Sequence, residues 1–225
     1  GCDETNDVGI CINGTARVWD ATTGERRLSL YHKGDVRGAV WSGDESWVLT
    51  WSYDRTAQVW DATTGERWLT LHHEGEVSGA TWNKTGSQVL TWGCNSRDEL
   101  RCINGTARVW NAAMGEQRLT LHHEGGVLGA VWNGDESQVL TWSYDRTVRM
   151  WDAATGEQRL TLNHEDVVYG AAWNGDESQV LTWGGELVRV WDSVTGELRL
   201  TLNRESGWLV YGATWNRDES QVLTW

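Results

Sequence analysis

The chain is patterned in short segments whose side chains alternate, each closed by a polar turn. Val77-Ser78-Gly79-Ala80-Thr81-Trp82 alternates and runs into a turn over 83–86. Gln88-Val89-Leu90-Thr91-Trp92, Thr106-Ala107-Arg108-Val109-Trp110 and Gln117-Arg118-Leu119-Thr120-Leu121 follow. All four have strand length and are rich in β-branched and aromatic residues, and no stretch keeps a helical period. We denote them a, b, c and d. Strands a and b carry apolar bulk on both faces, which predicts burial on both. In d, Leu119 and Leu121 face one way and Arg118 and Thr120 the other, which predicts an outer strand with one wet face.

This unit repeats along the whole chain. Trp19, Trp60, Trp110, Trp151 and Trp191 form one series; Trp41, Trp82, Trp132, Trp173 and Trp215 a second; Trp51, Trp92, Trp142, Trp183 and Trp225 a third. Spacings in the first series are 41, 50, 41 and 40, so the chain is five copies of one unit. Four-stranded units repeated about an axis predict an all-β fold, a β-propeller of five four-stranded antiparallel blades. The expected organisation is one domain, 1–225, with units at 32–72, 73–122, 123–163, 164–203, and 204–225 plus 1–31.

Several multi-residue matches recur per unit. His32, His73, His123 and His164 each stand four residues before Val36, Val77, Val127 and Val168. Asp54 and Asp145 occupy a turn before strand c. Strand c closes on Trp19-Asp20, Trp60-Asp61, Trp110-Asn111, Trp151-Asp152 and Trp191-Asp192. On these residues all 225 positions resemble the WD-repeat (WD40) β-propeller family. The resemblance implies a structural relay in which a buried Trp N–H reaches a Thr, a His and an Asp. The matching positions are Trp60, Thr50, His32 and Asp54, and Trp151, Thr141, His123 and Asp145. Other units depart from it. Asn104 and Asn13 stand where Asp is expected, Arg204 stands where His is expected, and Glu186 lies near a shortened turn. Weaker relays are expected there. The family's turn Pro is absent throughout, with Gly43, Gly134 and Gly175 in its place and Lys84 and Arg217 in the other turns.

Strands a and b at 210–225 lack their own c and d, which residues 15–31 supply. The ring is therefore expected to close by pairing N-terminal strands c and d with C-terminal strands a and b, giving a monomer with no open edge. The alternative is a partial ring from a longer array.

Composition now reads as one unit multiplied. Of 18 Trp, 15 belong to the three series, leaving Trp47, Trp68 and Trp208; there is no Phe and no Pro. A net charge of −13 with scattered basic residues argues against nucleic acid as a partner. No apolar window approaches the roughly 18 to 20 residues of a membrane span, and no signal peptide is visible, so no membrane contact and a cytoplasmic location are expected. The adjacent histidines His72-His73 and His122-His123 suggest metal only weakly, since neighbours on a strand point apart. The Thr–His–Asp grouping recurs per unit, which makes it architectural and not hydrolytic. No cofactor, metal or catalytic residue is expected.

Two b–c connections, 1–14 and 93–105, are expanded, and each carries a Cys pair: Cys2 with Cys11, Cys94 with Cys102. Inert reduced thiols, local disulfides and zinc ligation are the three readings; two Cys fall short of four zinc ligands. The family resemblance implies a non-catalytic scaffold mediating protein–protein interaction, a module or fragment of a larger chain. Candidate partner-binding residues are Arg37, Tyr53, Tyr144, Tyr169, Tyr211 and Trp208. A lectin-like propeller with one glycan site per blade, stacking sugars on the strand-b Trp ring, is the alternative.

Overall fold

The computed structural model describes residues 1–9, 11–98, 101–203 and 209–225. Among them every regular element is a β-strand. The N-terminal sheet joins β1 (Cys2–Thr5), β2 (Cys11–Trp19) and β3 (Arg26–His32). Four four-stranded meanders follow. They are β4 (Val36–Trp41), β5 (Trp47–Ser52), β6 (Thr56–Asp61) and β7 (Arg67–His72); β8 (Glu76–Trp82), β9 (Gln88–Asp98), β10 (Arg101–Asn111) and β11 (Gln117–Gly125); β12 (Val127–Trp132), β13 (Gln138–Ser143), β14 (Thr147–Asp152) and β15 (Gln158–Asn163); and β16 (Gly170–Trp173), β17 (Gln179–Gly184), β18 (Leu187–Asp192) and β19 (Leu198–Asn203). A two-stranded sheet, β20 (Ala213–Trp215) and β21 (Val222–Thr224), ends the chain. All pairings are antiparallel, so the first to fourth strand of each meander are a to d.

Local chemistry fixes each unit the same way. The Asp after the strand-c Trp ends the strand: Asp61 Oδ1 accepts the backbone N–H of Thr63 and Thr64 at 2.8 and 2.7 Å, and Gly65 follows at φ 74°. This Asx turn sends the chain back as strand d. Opposite the strand-c Trp of each of the five copies, Trp19, Trp60, Trp110, Trp151 and Trp191, strand d carries one extra residue in a β-bulge. Bulges twist the strand locally, and their recurrence makes them part of the unit. A third device joins strands a and b. A Cβ added to Gly129 would lie 2.0 Å from the Trp142 ring, and Gly170 repeats this at 1.9 Å from Trp183. The strand-b indole therefore lies flat on a bare backbone, which only Gly provides.

The core sits between successive sheets. Leu49, Ala57, Val59 and Leu71 of one meander pack with Val77, Ala80, Val89 and Trp110 of the next. The same arrangement recurs at the two following junctions. At the ends the stacking stops. β21 and β2, the strands expected to close a ring, lie in separate sheets and are not hydrogen-bonded. Trp19 is 56% exposed there, whereas Trp60, Trp110, Trp151 and Trp191 are 5–7% exposed. Trp41, Leu223 and Trp225 are exposed as well.

Candidate functional site: a repeated relay and the rim above it

Each relay is assembled from three strands and one turn of a single neighbourhood. In the β4–β7 meander, Trp60 Nε1 on β6 donates to Thr50 Oγ1 on β5 at 2.8 Å. His32 Nε2, from the end of β3, meets the same oxygen at 2.7 Å, and His32 Nδ1 meets Asp54 Oδ2 at 2.9 Å. Asp54 also accepts Lys33 N–H at 2.9 Å and the Thr56 hydroxyl at 2.6 Å. Trp151, Thr141, His123 and Asp145 repeat the geometry at 2.8 Å for each link. With Nδ1–H given to the carboxylate, Nε2 takes the Thr hydroxyl, whose oxygen takes the indole N–H. Every polar atom along this line has a partner, as a buried path requires.

Two further units, those of Trp110 and Trp191, keep the inner half of the relay. Trp110 Nε1 donates to Thr91 Oγ1 at 2.7 Å and His73 Nε2 meets it at 2.8 Å, but His73 Nδ1 is buried with no partner among the described residues. Trp191 and His164 meet Thr182 at 2.9 and 2.8 Å, and His164 Nδ1 turns to the Leu162 carbonyl at 3.2 Å; Glu186 is exposed. The expectation that Asn104 and Asn13 take the Asp position is corrected. The Asp54–Thr56 contact has its counterpart in Asn95 Oδ1, which accepts the Thr106 hydroxyl at 3.0 Å. In the N-terminal sheet Asp3 accepts from Thr15, and from Arg17 at 2.8 Å. The reason is register. β9 pairs with β10 through the inserted hairpin, so the position is fixed by counting three residues forward from the strand-b Trp, not backward from strand c. Asn104 instead sits at the hairpin's return with φ 57°. Arg204 and Trp208 lie outside the described residues.

Electrostatics separate complete from incomplete relays. Burial pushes the Asp54 carboxyl up, but hydrogen bonds from His32 and Thr56 outweigh it and hold it at about 2. Asp145 is lowered too, burial being overcome by His123 and Thr147. Without a carboxylate, burial and then the Arg108 charge push His73 down to about 3. Burial and then Arg189 push His164 down to about 4. Both imidazoles are therefore neutral at physiological pH.

The described candidate partner-binding residues, Arg37, Tyr53, Tyr144, Tyr169 and Tyr211, lie at one rim, where b–c turns and d–a connections meet. Arg37 stacks 4.6 Å over the Tyr53 ring and pairs with Asp35 at 3.1 Å. Tyr53, Tyr144, Tyr169 and Tyr211 are all exposed. Tyr169 lines a groove of about 470 Å³ with Asp166, Leu187 and Leu209. At the opposite rim Trp47 and Trp68 pack at 5.7 Å, where other units carry Gln and Arg. The strand-b residues Trp92, Trp142 and Trp183 are half-buried, each against the strand-a Gly that precedes it. The Sγ atoms of Cys2 and Cys11, and of Cys94 and Cys102, lie at bonding distance, with Cα atoms 5.7 Å apart in each pair. Among the described residues no group of three or more His, Cys, Asp and Glu is arranged to hold a metal ion.

One contact was not anticipated from the sequence. In the a–b turns, Glu136, Glu177 and Glu219 have φ of 60–63° and reach back to the preceding unit. Glu136 accepts Asn83 Nδ2 at 2.9 Å and the Lys84 N–H; Glu177 accepts Asn133 Nδ2 at 2.8 Å and the Gly134 N–H; Glu219 accepts Asn174 Nδ2 at 2.8 Å and the Gly175 N–H. The signal was a repeated Asp-Glu-Ser with Glu at a turn position that usually takes Gly or Asn.

The family model described as WD domain, G-beta repeat, matches residues 24–61 and 115–152. Each match runs from the glycine of one c–d turn to the Trp-Asp pair closing the next strand c, or its equivalent. No curated protein matches the chain.

Proposed function

We propose that this chain, which belongs to the WD40-repeat family, is a non-catalytic scaffold whose five units form one domain and close into a ring that holds protein partners at its rim. WD40 repeats generally mediate protein–protein interaction, and that fold-level association is the warrant for the class of function. The observation that carries it is the placement of Tyr53, Tyr144, Tyr169 and Tyr211 on one rim while the Thr–His–Asp groups are sealed inside the sheets. A buried group reached by no substrate has an architectural use, whereas exposed Tyr beside Arg37 has the composition of interface anchors. Closure of the ring would add β21 to the stretch of β2 that β1 leaves uncovered, and would cover Trp19, Trp41 and Trp225. The exposure of those three indoles supports this reading, because large apolar side chains left open at a sheet edge favour pairing.

The two cysteine pairs are proposed to be disulfides closing the β1–β2 and β9–β10 hairpins. Disulfides persist in oxidising compartments, so this reading favours such a compartment over the cytoplasm expected from the sequence. Intact-mass measurement of unreduced protein tests it, since four free thiols would overturn it.

The scaffold reading is tested by placing a photo-crosslinking amino acid at Tyr53 and Tyr144, with Met114 at the opposite rim as control. Crosslinking in extracts of the source organism should give one and the same polypeptide from Tyr53 and Tyr144 and none from Met114. Reproducible binding of a single sugar epitope on a glycan array, lost on replacing Trp142 and Trp183, would overturn it in favour of a lectin.

A further inference from the structure

The three turn-to-turn contacts form a chain with two loose ends. Each Glu accepts from the turn of the unit before it, so the first turn offers an acceptor and the last turn offers donors. At the first turn Glu45 has φ 59° and its N–H donates to the Ser42 carbonyl at 2.9 Å. Glu136, Glu177 and Glu219 make the same bond within their turns at 3.2, 3.1 and 3.1 Å. The Glu45 backbone is therefore already set in the conformation that sends its siblings' carboxylates backward, yet its side chain is exposed while theirs are half-buried. At the last turn Asn216 Nδ2 donates, among the described residues, within its own turn, to Ser220 Oγ at 3.1 Å, and Arg217 is exposed. Asn83, Asn133 and Asn174 make the equivalent bond to the next unit's Glu and are buried.

A second correspondence runs through the basic residues. Lys84 Nζ donates to the Gly134 carbonyl of the following turn. Arg217 occupies the Lys84 position, and Gly43 occupies the Gly134 position in the first turn. The first junction itself lacks the contact because Gly86, at φ 69°, replaces the Glu.

We propose that Glu45 is the latch of the ring: its carboxylate takes the Asn216 side-chain amide and the Arg217 N–H of the same chain, while the Arg217 guanidinium reaches the Gly43 carbonyl. The occupant of the exposed fifth turn is thus the first turn, which continues an interface made three times already within the molecule. This rests on the ring closure proposed above and assigns it a specific pair of side chains. Charge supports the direction, since the carboxylate would accept from two N–H groups and the guanidinium would donate to a carbonyl, and such charge-assisted hydrogen bonds are stronger than neutral ones. The strand pairing alone would not need either residue.

The test uses the full chain, with Glu45→Gln, Asn216→Ala, their double variant, Glu45→Arg, and Glu45→Arg with Arg217→Glu. Thr15 N–H donates to Gly1 O on the edge of β2 away from β3, so by strand alternation the N–H groups of Arg17 and Trp19 point to the same edge. Their hydrogen exchange reads closure without touching the latch. The expected results are a monomeric mass by light scattering and slow exchange at Arg17 and Trp19. Glu45→Gln and Asn216→Ala should each lower Tm by roughly 2 to 4 °C, the scale of one lost contact in a chain of this size. The double variant should fall no further than the lower single one, and the charge swap should recover part of the loss in Glu45→Arg. Unchanged or additive Tm shifts with Arg17 and Trp19 still protected would overturn the latch and leave closure standing. Fast exchange at both amides in the unaltered monomer would overturn closure and the latch together. A mass of two chains with both amides protected would show that a second copy fills the turn and would overturn the assignment within one chain.

Discussion

Lowering the pH from 7 to 5 should destabilise the fold through two specific imidazoles. His73 and His164 are buried and neutral, held at about 3 and about 4 against an ordinary 6.5. Below pH 6.5 the unfolded chain takes up these protons and the folded chain does not, so stability falls with pH until the folded values are reached. For one such His the loss between pH 7 and pH 5 is about 2 kcal/mol, and for the pair about 4 kcal/mol. His123, lowered by burial against the opposing pull of Asp145, adds in the same direction. The carboxylates act elsewhere. Asp54, held at about 2 against 3.8, contributes stability that is present above pH 4 and is lost as pH falls through 2. The interval from 7 to 5 therefore isolates the histidines. Urea unfolding followed by Trp fluorescence at the two pH values measures the difference directly. A fall below 1 kcal/mol, or any gain in stability at pH 5, would refute the assignment of buried neutral His73 and His164.

Asn95→Asp places a carboxylate in the position that Asp54 and Asp145 hold in complete relays, facing the bare His73 Nδ1. It should raise stability at pH 7 by about 1 kcal/mol and reduce the acid sensitivity, checked by the same urea titrations. Thr141→Val leaves the Trp151 N–H and His123 Nε2 buried without their shared oxygen, each now at 2.8 Å. The expected loss is about 2 to 5 kcal/mol, with Thr141→Ser losing under about 1, both read from denaturant midpoints. Gly129→Ala drives a methyl into the Trp142 ring and should cost about 1 to 3 kcal/mol. Gly24→Ala, in open space at φ 74°, should cost only about 1 kcal/mol, and calorimetry of the two variants compares packing with backbone strain.

Strand existence, order and the wet outer face were legible because they rest on local signals: a period of two, Gly-rich turns and the Trp-Asp ending. The four residues of the relay at Trp60 and at Trp151 meet because they follow the unit's spacing without insertion. Where a hairpin was inserted, spacing misled. Counting backward from Trp110 selects Asn104, while hydrogen-bond register through the extended β9–β10 ladder puts Asn95 in place. Register is a pairwise property of two strands and cannot be read from one of them. The Glu136, Glu177 and Glu219 contacts were hidden for a related reason. They join residues of different units at separations of 43 to 53, and nothing in a single turn reveals which neighbour it faces. The Gly before each strand-a Ala was read as a strand residue. Only the indole lying across the neighbouring strand explains why that position tolerates no side chain.

Small-angle X-ray scattering on the purified chain, with mass from light scattering on the same sample, tests the ring most directly. A closed ring predicts a single-chain mass of 25.4 kDa and a compact, disc-like distance distribution that returns to zero without a tail. A monomer with the longer distances of an open arc would contradict it.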